Sequence, residues 1–209
     1  MTRTAALLVP LLMGIALALQ VQPAAQTLPI IEDPEAYAVY AALLQNWKKS
    51  DPESTRDIRL FQETRQPIAR CGEKGFVARG WEPAVENFRQ ANAHRWLLKT
   101  GADLGMPYAM ITPPALEELL RAVVQDPAPR RGGGYEPGLR MLPVRYTALS
   151  AIGFNADRTF ALVGEERHCN RLNDAGDTVL CMQGGITPWE KIGGQWVPSR
   201  NADACGWIV

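Results

Sequence analysis

Thr147-Ala148-Leu149-Ser150-Ala151-Ile152-Gly153-Phe154, then Asn155-Ala156-Asp157-Arg158, then Thr159-Phe160-Ala161-Leu162-Val163-Gly164-Glu165-Glu166 breaks with the helical period of the chain before it. From Tyr146 onward the apolar positions recur every two residues, the spacing of a strand with one face buried. The four residues between the two runs hold Asn155 and Asp157, whose short polar side chains bond nearby backbone and favour tight turns. The segment therefore reads as a hairpin, with strands over 147–154 and 159–166.

Towards the C-terminus, Thr178 to Met182 reads as a short strand or an ordered loop. Thr187 to Ile192, Gly193-Gly194 and Gln195 to Pro198 make a second hairpin, and Gly206 to Val209 a terminal strand. Towards the N-terminus the period is helical. Asp33-Pro34-Glu35 supplies a cap, a proline at the first helical position and an acid in the first turn. Ala36, Val39, Tyr40, Leu43, Leu44 and Trp47 then form one apolar stripe, which predicts a core-packed helix over 33–49. Residues 57–64 read as a strand, and 66–80 as a glycine-containing loop tethered through Cys71. Residues 82–92 read as a helix with Val85, Phe88 and Ala91 inward. Thr112-Pro113-Pro114 opens a third, with Leu116, Leu119, Leu120 and Val123 inward, ending before Asp126. Residues 126–138, with Arg130, Arg131 and Gly132-Gly133-Gly134, read as a surface loop, because no helix start follows to make a phosphate cradle. Helices followed by strands predict an α+β fold: a helical N-terminal half packed on one face of a C-terminal antiparallel β-meander, in a single domain over 26–209.

Residues 1–25 read as a signal peptide. Arg3 precedes an apolar run from Ala5 to Leu19, and small residues follow at Ala24 and Ala25. A spanning helix needs about 20 apolar residues, and this run stops short at Gln20, so no stable membrane span is expected after cleavage. Cleavage after Ala25 takes only Arg3 from 22 basic and 22 acidic residues, leaving 21 and 22, a net charge of −1. A near-neutral chain carries no basic footprint for nucleic acid. The expected location is secreted or periplasmic, where cysteines pair. The four cysteines are Cys71, Cys169, Cys181 and Cys205. Turn formers between Cys169 and Cys181 let that loop fold back, so these two are expected to bond, leaving Cys71 for Cys205.

Part of the C-terminal third resembles an uncharacterised family of small secreted or envelope-associated bacterial proteins. The likeness rests on Gly153-Phe154-Asn155, Asp157, Thr159, Ala161-Leu162, the two cysteines that follow, Gly193-Gly194-Gln195-Trp196 and Trp207. Gln195 stands where that pattern usually has Lys. The resemblance covers about 60 residues and implies fold and compartment, without an assigned activity.

The catalytic motifs of serine hydrolases, zinc proteases and nucleotide-binding folds are absent from the sequence. Glu165, Glu166 and His168 are the only clustered acid–base candidates, and neighbours on a strand point to opposite faces. No cofactor or metal is expected. The expected function is a non-enzymatic secreted or periplasmic binding or interaction domain, held by two disulfides, for a protein or small-molecule partner. The alternative is a secreted hydrolase using Glu165, Glu166 and His168.

Overall fold

The computed structural model describes residues 27–50, 52, 57–65, 80–125, 140–172, 178–200 and 205–208. The expected signal peptide over 1–25, Cys71 with its expected loop and the expected 126–138 loop lie outside the described residues. Three helices, α1 Pro34–Ser50, α2 Glu82–Ala91 and α3 Pro113–Gln125, combine with eight strands in an α+β fold. The strands are β1 Arg59–Phe61, β2 Ala109–Ile111, β3 Arg140–Leu149, β4 Gly153–Phe154, β5 Phe160–Leu172, β6 Thr178–Ile192, β7 Gln195–Pro198 and β8 Cys205–Ile208.

The expected cap of α1 is present: the Glu35 amide donates to the Asp33 carboxylate at 3.0 Å. All six stripe residues are buried. They pack on Leu149, Ala161, Val163, Trp189 and Trp196 of the sheet. Each large side chain so buried contributes roughly 1.5–3 kcal/mol of transfer free energy. Of the residues expected inward on α2, Phe88 is buried, whereas Val85 and Ala91 are half-buried and Ala84 takes the deepest place.

The eight strands form one sheet in the order β2-β1-β3-β5-β6-β7, with β4 beside β5 and β8 beside β6. The C-terminal strands are antiparallel, as expected. In the N-terminal half the strand expected within 57–64 is present as β1, while β2 is an addition. The two pair parallel with each other and β1 pairs parallel with β3, so the sheet is mixed rather than an antiparallel meander. The helices also lie on both faces rather than one. Ala161 and Val163 belong to the core beneath α1, while Leu162 between them packs with Trp81, Ala84 and Phe88 of the α2 region. The core of α3, at Leu116, includes Ala148, which opposes Glu166 on the α2 side of β5.

Two strand boundaries differ from the reading of the sequence. The run 147–154 is interrupted at 150–152, and β3 and β4 lie one after the other along β5. At the gap one backbone bond remains, from the Ser150 amide to the Gly164 carbonyl at 2.9 Å, and side chains supply others. Asn92 accepts from the Ala151 amide at 2.9 Å and donates to its carbonyl at 3.0 Å, and Ser150 Oγ accepts from the Gly164 amide at 2.7 Å. Second, β6 is one strand of 15 residues that joins the separate 178–182 and 187–192 segments of the sequence reading through Gly184-Gly185. A Cβ on Gly185 would lie 2.5 Å from the Cys205 carbonyl oxygen, so the glycine admits the close approach of β8.

The two turns are as expected. Asn155 Oδ1 accepts from the Thr159 and Phe160 amides at 2.9 and 2.8 Å. Gly193 and Gly194 have φ of 58° and 81°, the pair of positive values a type I′ hairpin requires.

Candidate functional site

β5 carries all three acid–base candidates, and the pleat separates them. Glu165 shares the α1 face with Arg167. Glu166 shares the opposite face with His168, opposed by Ala148 and Tyr146 of β3. The adjacent carboxylates therefore do not form a pair.

On the α1 face, Arg167 lies 3.8 Å from Glu165 and 4.1 Å above the Trp47 ring. Burial pushes the Glu165 carboxyl up to about 7, against the opposing pull of Arg167 and a hydrogen bond with Trp47. Among the described residues Glu165 Oε2 and Arg167 Nε have no hydrogen-bond partner.

On the other face, His168 Nε2 lies 3.3 Å from Glu166 Oε2. The His168 ring stacks on Tyr146 with centroids 4.5 Å apart and planes 6° from parallel, and Tyr146 leans on Phe61. Burial raises the Tyr146 phenol, with Arg65 opposing and Glu166 adding to the rise. Among the described residues Glu166 Oε1 and His168 Nε2 have no hydrogen-bond partner, and no nucleophile is paired with that ring nitrogen. Both side chains are largely withdrawn from solvent, at 8% and 15% exposure. Among the described residues no three His, Cys, Asp or Glu side chains converge as a metal cage, and no helix is long and apolar enough to cross a membrane.

The sequence reading missed a groove of about 230 Å³ on another part of the surface. Three separate segments build it: Ile30, Ile31, Asp33 and Ala36 before and within α1, Asn87, Ala91 and Trp96 around the end of α2, and Ile152, Phe154 and Arg158 about the first hairpin turn. Its lining is mainly apolar. At its rim the Arg158 guanidinium meets the Asp33 carboxylate at 2.8 Å and lies over the Phe154 ring at 5.0 Å. Burial raises the Asp33 carboxyl, but Arg158 and the Glu35 and Ala36 amides outweigh it and hold the group below its ordinary value. Arg158 is a non-glycine residue with φ of 55°, fixed by the turn that aims it at the rim. Asn87 closes one wall by accepting from the Phe154 amide at 2.8 Å. Asp33, the inward Ala36 and Ala91 and the hairpin turn are legible in the sequence, each as a structural signal. Their meeting depends on the tertiary fold.

Three of the four cysteines, Cys169, Cys181 and Cys205, lie on described strands. Cys169 and Cys181 stand directly opposite each other in the β5–β6 register. Cys205 is held in a disulfide whose other half lies outside the described side chains. Comparison with protein-family models, with curated proteins and with solved structures finds no match.

Proposed function

We propose that the chain is a secreted or periplasmic binding domain, non-enzymatic, that takes its ligand in the groove between α1, the end of α2 and the first hairpin. The observation that carries this reading is the groove itself: an open, mainly apolar hollow with one fixed ion pair at its rim. Its volume of about 230 Å³ lies below the roughly 300–1,000 Å³ of drug-sized and cofactor sites, which favours a small apolar group. The sequence of residues 1–25 supports export, and the resemblance of the C-terminal hairpins supports the same compartment.

Two disulfides complete the reading. The opposition of Cys169 and Cys181 supports a bond between them. Cys205 pairs in register with Ile186, five residues along β6 from Cys181. At about 3.3 Å per residue that separation is roughly 16 Å, far beyond the ~7 Å that a disulfide spans. Cys71 is then the partner of Cys205.

The orphaned Glu166 Oε1 and His168 Nε2 favour the second reading, a hydrolase built on that pair. One experiment separates the two. Isotope-labelled protein is titrated with small apolar fragments (indole, toluene, isoamyl alcohol) while amide shifts are followed, and the same protein is assayed on ester, glycoside and peptide substrates. The binding reading expects shifts confined to the groove residues and no turnover. Turnover abolished by Glu166→Gln, with the groove silent, would replace it with the hydrolase.

A further inference from the structure

We infer that the groove takes an extended peptide, which adds as a strand to the free backbone edge at Ile30 and places one large apolar side chain in the hollow. This rests on the binding reading above and names its ligand class.

Residues 29–31 form the outer strand of a short ladder. The Leu97 amide donates to the Pro29 carbonyl at 2.8 Å, and the Ile31 amide donates to the Leu97 carbonyl at 2.9 Å. The bridge between Ile30 and Leu97 is parallel. In that register the N–H and C=O of Ile30 itself point away from Leu97, and neither has a partner among the described residues. The inner strand is closed on its other side, where the Thr64 amide donates to Trp96 and the Leu98 amide to Gln62. Ile30 is 46% exposed. Among the described residues its donor and acceptor therefore form an open sheet edge, the feature that peptide-binding domains use for main-chain recognition.

The groove lies beside this edge and shares Ile30 in its lining with Trp96 and Phe154. Side chains on a strand alternate, so a peptide residue next to the one paired with Ile30 reaches the hollow. A volume near 230 Å³ holds one Leu- or Phe-sized side chain and little more. A free small molecule would use the hollow and leave the edge unpaired, whereas a peptide satisfies both. The charges at the rim are already matched, Asp33 with Arg158 and Glu32 with Lys99 at 3.5 Å, so the preferred segment is neutral.

The test uses exported, isotope-labelled protein and capped pentapeptides Ac-Thr-Ser-X-Ser-Thr-NH2, with X as Leu, Phe or Gly, plus a Phe version methylated on the backbone nitrogens flanking X. The expected result has four parts. The Ile30 amide exchanges freely in the unliganded protein. The Leu or Phe peptide shifts Trp96 and Phe154. It slows Ile30 exchange about tenfold or more. The Gly peptide and the methylated peptide each bind at least about tenfold more weakly, the loss of roughly one side chain or one backbone bond. Groove shifts without Ile30 protection, or indifference to methylation, overturn strand addition and leave the groove reading standing. So does a groove that answers only to indole or toluene. An Ile30 amide already protected in the free protein also overturns it. If neither peptides nor fragments move the groove, both readings fall.

Discussion

Tyr40 donates its hydroxyl to the Ser150 carbonyl at 2.7 Å, joining α1 to the gap between β3 and β4 across 110 positions of sequence. The phenol is 1% exposed, and burial raises its pKa well above the ordinary value, so it remains a neutral donor. Tyr40→Phe removes the donor and leaves the Ser150 carbonyl buried without it. The expected cost is about 1–3 kcal/mol, read as a lower urea midpoint at unchanged slope. A midpoint equal to wild type would show that the gap is not fastened from α1.

Asn92 completes the same gap from the α2 side, meeting both the amide and the carbonyl of Ala151. Asn92→Leu keeps the bulk and removes both bonds, with an expected loss of about 2–4 kcal/mol. Because the two residues fasten the two ends of the Ser150–Ala151 peptide group, Tyr40→Phe and Asn92→Leu together should depart from additivity. Their double-mutant cycle is expected to give a coupling of about 0.5 kcal/mol or more. Simple addition would mean that the two fastenings act independently.

What the sequence disclosed here was local. The α1 stripe was readable because its i, i+3, i+4 spacing is a property of one helix, and the structure buries the same six residues. The turns at Asn155 and Gly193-Gly194 were readable because their side-chain and φ requirements are local too. The parallel pairing of β1 with β2 was not, since Leu60 and Met110 meet only after α2 is placed. The strand continuing through Gly184-Gly185 was hidden because glycine reads as a break until the approach of Cys205 explains it. For the candidate site, alternation already separated Glu165 from Glu166. The groove was invisible because Ile30, Trp96 and Phe154 lie in three segments with no shared pattern.

Leu43 tests whether α1 packs on its own sheet or presents a free face. It is 2% exposed within the main core. Leu43→Asp buries an unpaired charge and should cost several kcal/mol, roughly 3–5, in thermal or urea unfolding. Unfolding at the wild-type temperature would contradict the packing described.

Glu165 predicts a pH dependence. Its folded pKa of about 7 is raised above the ordinary 4.5, so the folded state holds a proton that the unfolded chain releases. The stabilisation is complete below about pH 4.5 and is lost as pH rises to about 7, at most roughly 3 kcal/mol. Urea midpoints at pH 5 and pH 8 should differ in that sense, and Glu165→Gln should flatten the difference. A variant that keeps the full wild-type slope would place the titration elsewhere.

The disulfides are settled by peptide mapping without reduction. The expected fragments link Cys169 to Cys181 and Cys71 to Cys205. Closing the loop of about a dozen residues between Cys169 and Cys181 should contribute roughly 3 kcal/mol. A link between Cys169 and Cys205, or Cys71 recovered as a free thiol, would contradict the register that separates Cys205 from Cys181 along β6.

The binding reading is tested most directly by fluorine NMR of protein labelled with 5-fluorotryptophan. Trp96 lines the groove, whereas Trp81 and Trp189 are each 1% exposed in the interior. With resonances assigned through Trp96→Phe, adding indole or the Phe pentapeptide should move the Trp96 signal in a saturable way and leave those of Trp81 and Trp189 in place. Saturable shifts of the other tryptophans with Trp96 unmoved, or a Trp96 signal indifferent to every ligand tried, would contradict the assignment of the groove as the binding site.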